Sequence, residues 1–433
     1  MKKYSELTKE ELQALKKELE AKYREYQAKD LKLNMARGKP CVEQLNLSMG
    51  MMDVLCADSD LTCEDGTDCR NYGVLDGIKE AQELLADMME VPYDQIIIYG
   101  NSSLNVMYDT IARSMTHGVM GSTPWAKLDK VKFLCPVPGY DRHFKVTEFF
   151  GIEMINIPMT KDGPDMDMVE ELVASDDSIK GIWCVPKYSN PSGITFSDKV
   201  VERLATMKTA ANDFRIFWDN AYVVHDLYDK GDKLKNIFDV ARKAGTLDRI
   251  YAFTSTSKIT FAGSGLAVFA SSVDNVNAIT KELFYKTIGP NKINQVMHVN
   301  FLKDLSNVKA IMKRHAEILR PKFELFNEKM TAAFEGDRYV TWSRPRGGYF
   351  VSLDVKSCAK RVVELSAEAG VKFTPAGSSF PYHIDDLDEN IRIAPSVPTL
   401  EEMDYAVDVL ISAINQARME LVLRKIYHYD ARA

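Results

Sequence analysis

The middle of the chain repeats one pattern: a short, continuous apolar run, then a polar or Gly/Pro-rich turn, then a segment with helical spacing. The runs are Ile96-Ile97-Ile98-Tyr99, Val131-Lys132-Phe133-Leu134-Cys135, Gly181-Ile182-Trp183-Cys184-Val185, Arg215-Ile216-Phe217-Trp218 and Arg249-Ile250-Tyr251-Ala252-Phe253. A strand that is apolar on both faces must be covered on both faces, and helix-length spacers supply the covers. The pattern therefore predicts an α/β fold built on a mainly parallel sheet. In such sheets ligands gather at the carboxyl ends of the strands.

Past residue 300 the pattern changes to a long helical stretch near 304–335, short strand-like pieces at 349–353 and 391–393, and a closing helix from about 400 to 426. That reads as a smaller α+β domain. The N-terminus opens on Thr8-Lys9-Glu10-Glu11, a capping-box sequence, followed by Leu12, Leu15, Leu19, Tyr23 and Tyr26 at helical spacing. This amphipathic helix is expected to join the small domain, giving residues 1–50 (helix and substrate loop), 51–305 (large domain) and 306–433 (small domain). The 433 residues, 45% of them hydrophobic, are enough for such a core.

A net charge of −7, without a Lys/Arg-rich tract, argues against nucleic acid. The chain has no apolar run of bilayer length, and its first thirty residues alternate charges, so a cytoplasmic protein is expected. The seven cysteines are an odd set, and Cys56, Cys63 and Cys69 lack zinc-site spacing, so neither a disulfide framework nor a metal is expected.

The strand ends carry the chemistry. The first run leads into Gly100-Asn101-Ser102-Ser103 before a helical pattern, which serves a phosphate or merely caps a helix. The second leads into Pro138-Gly139-Tyr140-Asp141-Arg142-His143, and the third into Tyr188-Ser189-Asn190-Pro191-Ser192-Gly193. The fourth ends in Asp219-Asn220-Ala221-Tyr222, where a carboxylate following so apolar a run needs a cationic partner. The fifth ends in Ser255-Thr256-Ser257-Lys258. Lysine forms Schiff bases with carbonyls when its surroundings lower its pKa. Pyridoxal phosphate uses such a lysine, an anion beside its ring nitrogen, donors to its ring oxygen, a flat side chain on its face and a phosphate cradle.

In order and spacing, Asn190-Pro191-Ser192-Gly193, Asp219-Asn220-Ala221-Tyr222, Ser255-Thr256-Ser257-Lys258 and Asn390-Ile391-Arg392-Ile393-Ala394-Pro395 resemble the fold-type I pyridoxal-phosphate aminotransferases. Ala36-Arg37-Gly38-Lys39-Pro40, the run from Ser257 to Gly263, and Gly289-Pro290-Asn291-Lys292 resemble their subgroup Ic aspartate aminotransferases, also called MocR-type aminotransferases without the DNA-binding domain. The resemblance implies a large domain with a seven-stranded type of sheet and a ping-pong transamination between amino acids and 2-oxo acids.

It also implies roles. Lys258 anchors the cofactor and moves protons, Asp219 pairs with the ring nitrogen, and Asn190 and Tyr222 reach the ring oxygen. Tyr140 stacks on the ring, and His143 stands behind Asp219. Ser102, Ser103, Ser255 and Ser257 hold the phosphate. Tyr72 reaches the neighbouring subunit's phosphate, which implies a homodimer. Arg392 forks the substrate α-carboxylate, with Gly38 nearby.

Many relatives carry an arginine soon after the lysine, in an Ala-Gly-x-Arg arrangement that here reads Ala262-Gly263-Ser264-Gly265, so Ser264, with Lys292 or Lys286 from a partner chain, is the expected substitute. A second substrate carboxylate needs a second cation, for which Arg142 leads and Arg37, Lys39 and Arg346 follow. Aspartate with 2-oxoglutarate is the preferred reading. The alternatives are an aromatic or kynurenine aminotransferase, a β-lyase, and the ligand-sensing domain of a regulator.

Overall fold

The computed structural model describes residues 7–430 and resolves two compact units. The larger comprises Val42–Ile318 and Arg346–Gly348; the smaller takes the chain up to Cys41, Leu319–Pro345, and the chain from Tyr349 onward.

The larger unit is organised by an eight-stranded sheet of β1 (Ile96–Ile98), β2 (Lys132–Val137), β3 (Glu153–Thr160), β4 (Gly163–Pro164), β5 (Ile179–Cys184), β6 (Arg215–Asp219), β7 (Ile250–Ser255) and β8 (Ala267–Ala270). Its order is β1-β8-β7-β6-β5-β2-β3-β4. The pairs β3/β2, β2/β5, β5/β6 and β6/β7 are parallel, while β8 runs antiparallel to both its neighbours and the two-residue β4 closes the far edge. Seven strands of three to eight residues plus this edge piece make the sheet mixed but mainly parallel. Every residue of β5 and β6 is buried, as strands covered on both faces must be.

Burial reaches the polar residues too. Lys180 sits on β5 because Asp213 takes its ammonium at 2.7 Å, and Asp213 also accepts from Trp125 Nε1 at 2.9 Å. Paired and hydrogen-bonded charges of this kind are the ones a core tolerates.

The helices that position the site are α1 (Ser103–His117), α2 (Asp141–Phe149) and α3 (Lys292–Leu302). Thus β1, β2, β6 and β7 each deliver their following loop to the carboxyl edge of the sheet.

In the smaller unit the helix Lys9–Gln27 starts with the capping box read from the sequence: Thr8 Oγ1 accepts from the Glu11 N–H at 3.2 Å, and Glu11 Oε2 accepts from the Thr8 N–H at 2.8 Å. Its buried stripe includes Leu12 and Tyr23, and the Tyr23 hydroxyl donates to the Leu365 carbonyl at 2.7 Å. Strands β9 (Val340–Trp342), β10 (Val351–Val355) and β11 (Asn390–Ile393) form an antiparallel sheet that opposes Ser352 to Arg392. Helix Leu305–Phe334 begins in the larger unit and ends in the smaller, and Leu400–Asp430 closes the chain. Among the described residues no helix is long and apolar enough to cross a membrane, and no cluster of His, Cys, Asp and Glu is placed to hold a metal.

Candidate active site

Asp219 is the last residue of β6 and pairs in register with Phe253 of β7. It is 2% exposed, and its two oxygens differ: Oδ2 accepts from His143 Nε2 at 2.8 Å, whereas Oδ1 has no hydrogen-bond partner among the described residues. A carboxylate only accepts, so Nε2 of His143 carries the proton. The buried Oδ1 is a costly orphan unless a ligand brings it an N–H.

His143 reaches Asp219 from the buried face of α2, which also carries Phe144, Val146 and Thr147. Its ring stacks on Trp183 of β5, with centroids 4.2 Å apart and planes 9° from parallel. Trp183 Nε1 donates to Thr147 Oγ1 at 2.9 Å, and that hydroxyl donates to the His143 carbonyl at 2.7 Å. The imidazole is thereby fixed in tilt and direction. Tyr140, at the start of α2, sets its ring edge-on to His143, with centroids 4.9 Å apart. Arg142, the residue before the buried His143 on the helix, is exposed.

Lys258 lies in the turn after β7, with its ammonium 5.5 Å from the centre of the Tyr222 ring. Part of the residue's surface is open, but protein encloses the ammonium. Burial pulls its pKa below the usual lysine range, and the Asp219 carboxylate opposes that shift. Asn190 follows β5 and is 5% exposed, with its Oδ1 unpartnered among the described residues. Tyr222 is buried three residues past Asp219.

Three loops converge beside Lys258. Ser102 caps α1 by accepting from the Leu104 N–H at 3.3 Å, and Ser103 is the first helical residue. Ser255 Oγ donates to Ser257 Oγ at 3.1 Å, Ser257 Oγ donates to the Asn101 carbonyl at 2.9 Å, and Asn101 Nδ2 donates to the Gly263 carbonyl at 3.3 Å. Gly265 allows this closeness: a Cβ there would lie 2.8 Å from Ser257 Oγ and 3.0 Å from the Asn101 oxygen. Ser102 and Ser103 at the N-terminus of a 15-residue helix, with Ser255 and Ser257 beside them, place four hydroxyls where a helix end favours an anion.

Ser264 donates its hydroxyl to Asn294 Oδ1 at 3.4 Å. Lys292 Nζ binds the Gly73 carbonyl of its own chain at 2.9 Å, and Lys286 pairs with Asp109. Both lysines are thus engaged within this chain. Tyr72, 78% exposed, borders an open cavity of about 640 Å³ with Arg70, Ile288 and Lys292.

In the smaller unit Arg392 is 7% exposed on β11, donates Nη2 to Thr374 Oγ1 at 3.3 Å and stands 5.1 Å over the Phe350 ring. Gly38 lies flat against that same ring. The Thr374 hydroxyl donates to the Ala36 carbonyl at 2.6 Å, so the Arg37-Gly38 loop and Arg392 form one cluster.

The family model for aspartate aminotransferase matches residues 7–425. The chain belongs to the aspartate aminotransferase family. This aminotransferase is 45% identical to an aspartate aminotransferase of Corynebacterium glutamicum over 405 residues, 93% of each chain. A crystal structure of an aspartate transaminase from the same organism superposes with a TM-score of 0.92 at 44% identity, covering 96% of this chain and 98% of that one. An α-aminoadipate aminotransferase from Thermus thermophilus, solved with N-(5′-phosphopyridoxyl)-L-leucine, shares the fold at TM-score 0.72 and 19% identity, covering 89% and 92% of the two chains.

The family implies pyridoxal phosphate, and the aminotransferase's residues fit it. Asp219 Oδ1 is a buried acceptor awaiting a ring N–H, a lysine of lowered pKa lies in the next loop of the sheet, and the hydroxyl cradle suits a phosphate.

The structure adds residues that sequence reasoning missed. His298 of α3 presents Nε2 to Thr256 Oγ1 at 3.0 Å and Thr260 Oγ1 at 2.9 Å, one on each side of Lys258, while its Nδ1 donates to the Asn294 carbonyl at 2.8 Å. His315 donates Nε2–H to the Ile259 carbonyl at 3.1 Å. His225 packs its ring edge-on to Tyr222. Lone histidines carry no sequence signature for such contacts.

Burial pushes His298 and His315 down to about 4, against the opposing pull of their carbonyl bonds, and drives His225 well below the ordinary histidine range. Each takes up a proton in the unfolded chain below about pH 6.5, but in the fold only well below that. Stability should therefore fall as pH drops from 6.5 toward 4, by up to about 1.4 kcal/mol per pH unit for each histidine. Urea midpoints at pH 7 and pH 5 check this, and equal midpoints would contradict it.

Proposed function

We propose that this aminotransferase uses pyridoxal phosphate to exchange amino groups between aspartate and 2-oxoglutarate. The orphaned Asp219 Oδ1, buried at the end of β6, carries the cofactor reading. The dicarboxylate reading rests on the Corynebacterium relative, while the Arg392 cluster supports an α-carboxylate common to all amino acids.

When bound, pyridoxal phosphate supplies a conjugated ring that takes up the electron pair left at the substrate α-carbon. Asp219 would accept the ring N–H and keep that nitrogen protonated, while His143, clamped by Trp183 and Thr147, holds the carboxylate in line. Lys258, held toward its neutral form by burial, would hold the cofactor by its aldehyde carbon and would serve as the acid and base at the substrate α-carbon. Tyr140 would cover the ring face, and Asn190 and Tyr222 would donate to the ring oxygen. Ser102, Ser103, Ser255 and Ser257 hold the phosphate, with Ser264 acting one step back through Asn294.

Arg392 takes the substrate α-carboxylate, and Gly38 lets the Phe350 ring pack directly against its backbone, where a Cβ would fall 2.4 Å from the ring. Arg142 is assigned the distal carboxylate. The domain roles follow: the larger unit holds the cofactor, and the smaller carries the α-carboxylate arginine.

A cytoplasmic homodimer is the working form. Tyr72, Phe284, Tyr285 and Ile288 are all more than 60% exposed, and the Gly73 N–H donates to the Ile288 carbonyl at 3.1 Å, which joins the two segments. So large an apolar surface suits a second copy, whose phosphate Tyr72 then reaches.

The test is a half-reaction screen, mixing holoenzyme with one amino acid at a time and following the cofactor absorbance. Aspartate and glutamate should convert it; conversion by aromatic amino acids alone would replace the dicarboxylate assignment. Arg142→Ala should cost aspartate at least about tenfold more in kcat/KM than alanine, the size of one exposed charge-assisted contact. Equal losses would remove Arg142 from the site.

A further inference from the structure

The chain leaves the smaller unit at Pro345, lays three residues, Arg346-Gly347-Gly348, on the larger unit, and returns at Tyr349. So short an excursion is held by several independent contacts. Gly347 forms an antiparallel bridge with Asp226, the Leu227 N–H donates to the Arg346 carbonyl at 2.9 Å, and the Gly348 N–H donates to the His225 carbonyl at 2.9 Å. The Arg346 side chain adds a bond to the Lys230 carbonyl and an ion pair with Asp232 at 3.6 Å.

On its other side the strap crosses the ring of Tyr188. A Cβ on Gly347 would fall 2.1 Å from Tyr188 Cε2, and one on Gly348 would fall 2.9 Å from Tyr188 Cβ, so side chains are excluded at both positions. Tyr188 is 1% exposed and has φ +51°, a left-handed backbone that a bulky residue holds only when its surroundings force it. Its hydroxyl donates to Asp226 Oδ1 at 2.6 Å and accepts from the Asp232 N–H at 2.8 Å, and Lys187 pairs with the same Asp226 oxygen at 2.9 Å.

These contacts end on two short tethers. Tyr188 is two residues before Asn190. His225 is three residues after Tyr222, and its N–H donates back to the Tyr222 carbonyl at 3.2 Å. We propose that the strap Arg346–Gly348 is a positioning element that sets Asn190 through Tyr188 and Tyr222 through His225, fixing both donors to the cofactor's ring oxygen. The proposal rests on the cofactor reading above. Arg346, a sequence candidate for a distal carboxylate, instead pins the strap through Asp232 and Lys230.

The test is an absorbance titration of pyridoxal phosphate-loaded protein, because donors to the ring oxygen favour its deprotonated form. Gly347→Ala should raise the titration midpoint by about one pH unit, the worth of a hydrogen bond to a charged oxygen. Tyr188→Phe, which keeps the ring but drops both hydroxyl bonds, should raise it in the same direction by less. Trp125→Phe serves as the control, since it removes a buried hydrogen bond to Asp213 and should lower thermal stability with the midpoint unmoved. If Gly347→Ala does not fold, Tyr188→Phe decides. Wild-type midpoints in the strap variants, or a shift in Trp125→Phe as large as theirs, overturn the proposal. Wild-type protein that takes up no pyridoxal phosphate overturns the cofactor reading instead, and the strap's role with it.

Discussion

Lys258→Ala should reduce kcat/KM by about 10⁴-fold or more, because it removes the covalent anchor and the proton carrier in one change. Proton transfer by a placed side chain is worth on the order of 10² to 10⁴ by itself. The geometry explains why no other group substitutes. Thr256 and Thr260 flank Lys258 and are both tied to His298, while the next carbonyl, that of Ile259, is tied to His315 and Ser48. These contacts hold the backbone of the turn on either side of Lys258. A small primary amine in solution should restore part of the rate by entering the space the side chain leaves, whereas a bulkier one should not. Turnover of the Lys258→Ala variant at a tenth of the wild-type rate would be incompatible with the proposed role.

Asp219→Asn carries the second-largest effect. The substitution keeps shape and burial but replaces an accepting oxygen with an amide, so the ring nitrogen loses the charge that keeps it protonated. Breaking a buried ion pair from one side costs about 3–5 kcal/mol, which corresponds to a loss of roughly 10² to 10³·⁵-fold in rate. His143→Ala should cost much less, since Asp219 keeps its charge and loses only its orientation. Steady-state kinetics on both variants at saturating cofactor check this ordering. Equal losses would mean that His143 takes part directly.

Much of this is legible in the sequence. Continuous apolar runs announce strands covered on both faces, and β1, β2, β5, β6 and β7 of the large sheet all announce themselves that way. The long strand Glu153–Thr160 does not, because only Met154 and Ile157 in it are buried and the polar Asn156 breaks its apolar run. Ala267–Ala270, antiparallel and reached from Ser255 without an intervening helix, falls outside the repeated pattern. Chemistry at the strand ends is legible for a similar reason: Asp219 after a fully apolar strand and Lys258 after three hydroxyl residues are anomalies that a core does not produce by chance.

Supporting contacts are not legible in the same way. In sequence Trp183 is one more apolar strand residue, yet its ring aligns His143. His298, His315 and the Gly347-Gly348 pair lie far along the chain from the segments they hold, and only the fold brings them there. Ser264 illustrates the limit: its sequence position suggests a direct phosphate contact, while its hydroxyl turns to Asn294.

The central claim is that Lys258, beside Asp219, is the covalent seat of pyridoxal phosphate. Borohydride reduction of the cofactor-loaded protein, followed by peptide mapping by mass spectrometry, tests it most directly. The account predicts a single phosphopyridoxyl adduct on Lys258, absent from the Lys258→Ala variant. A stoichiometric adduct on any other lysine, or none at all, would contradict it.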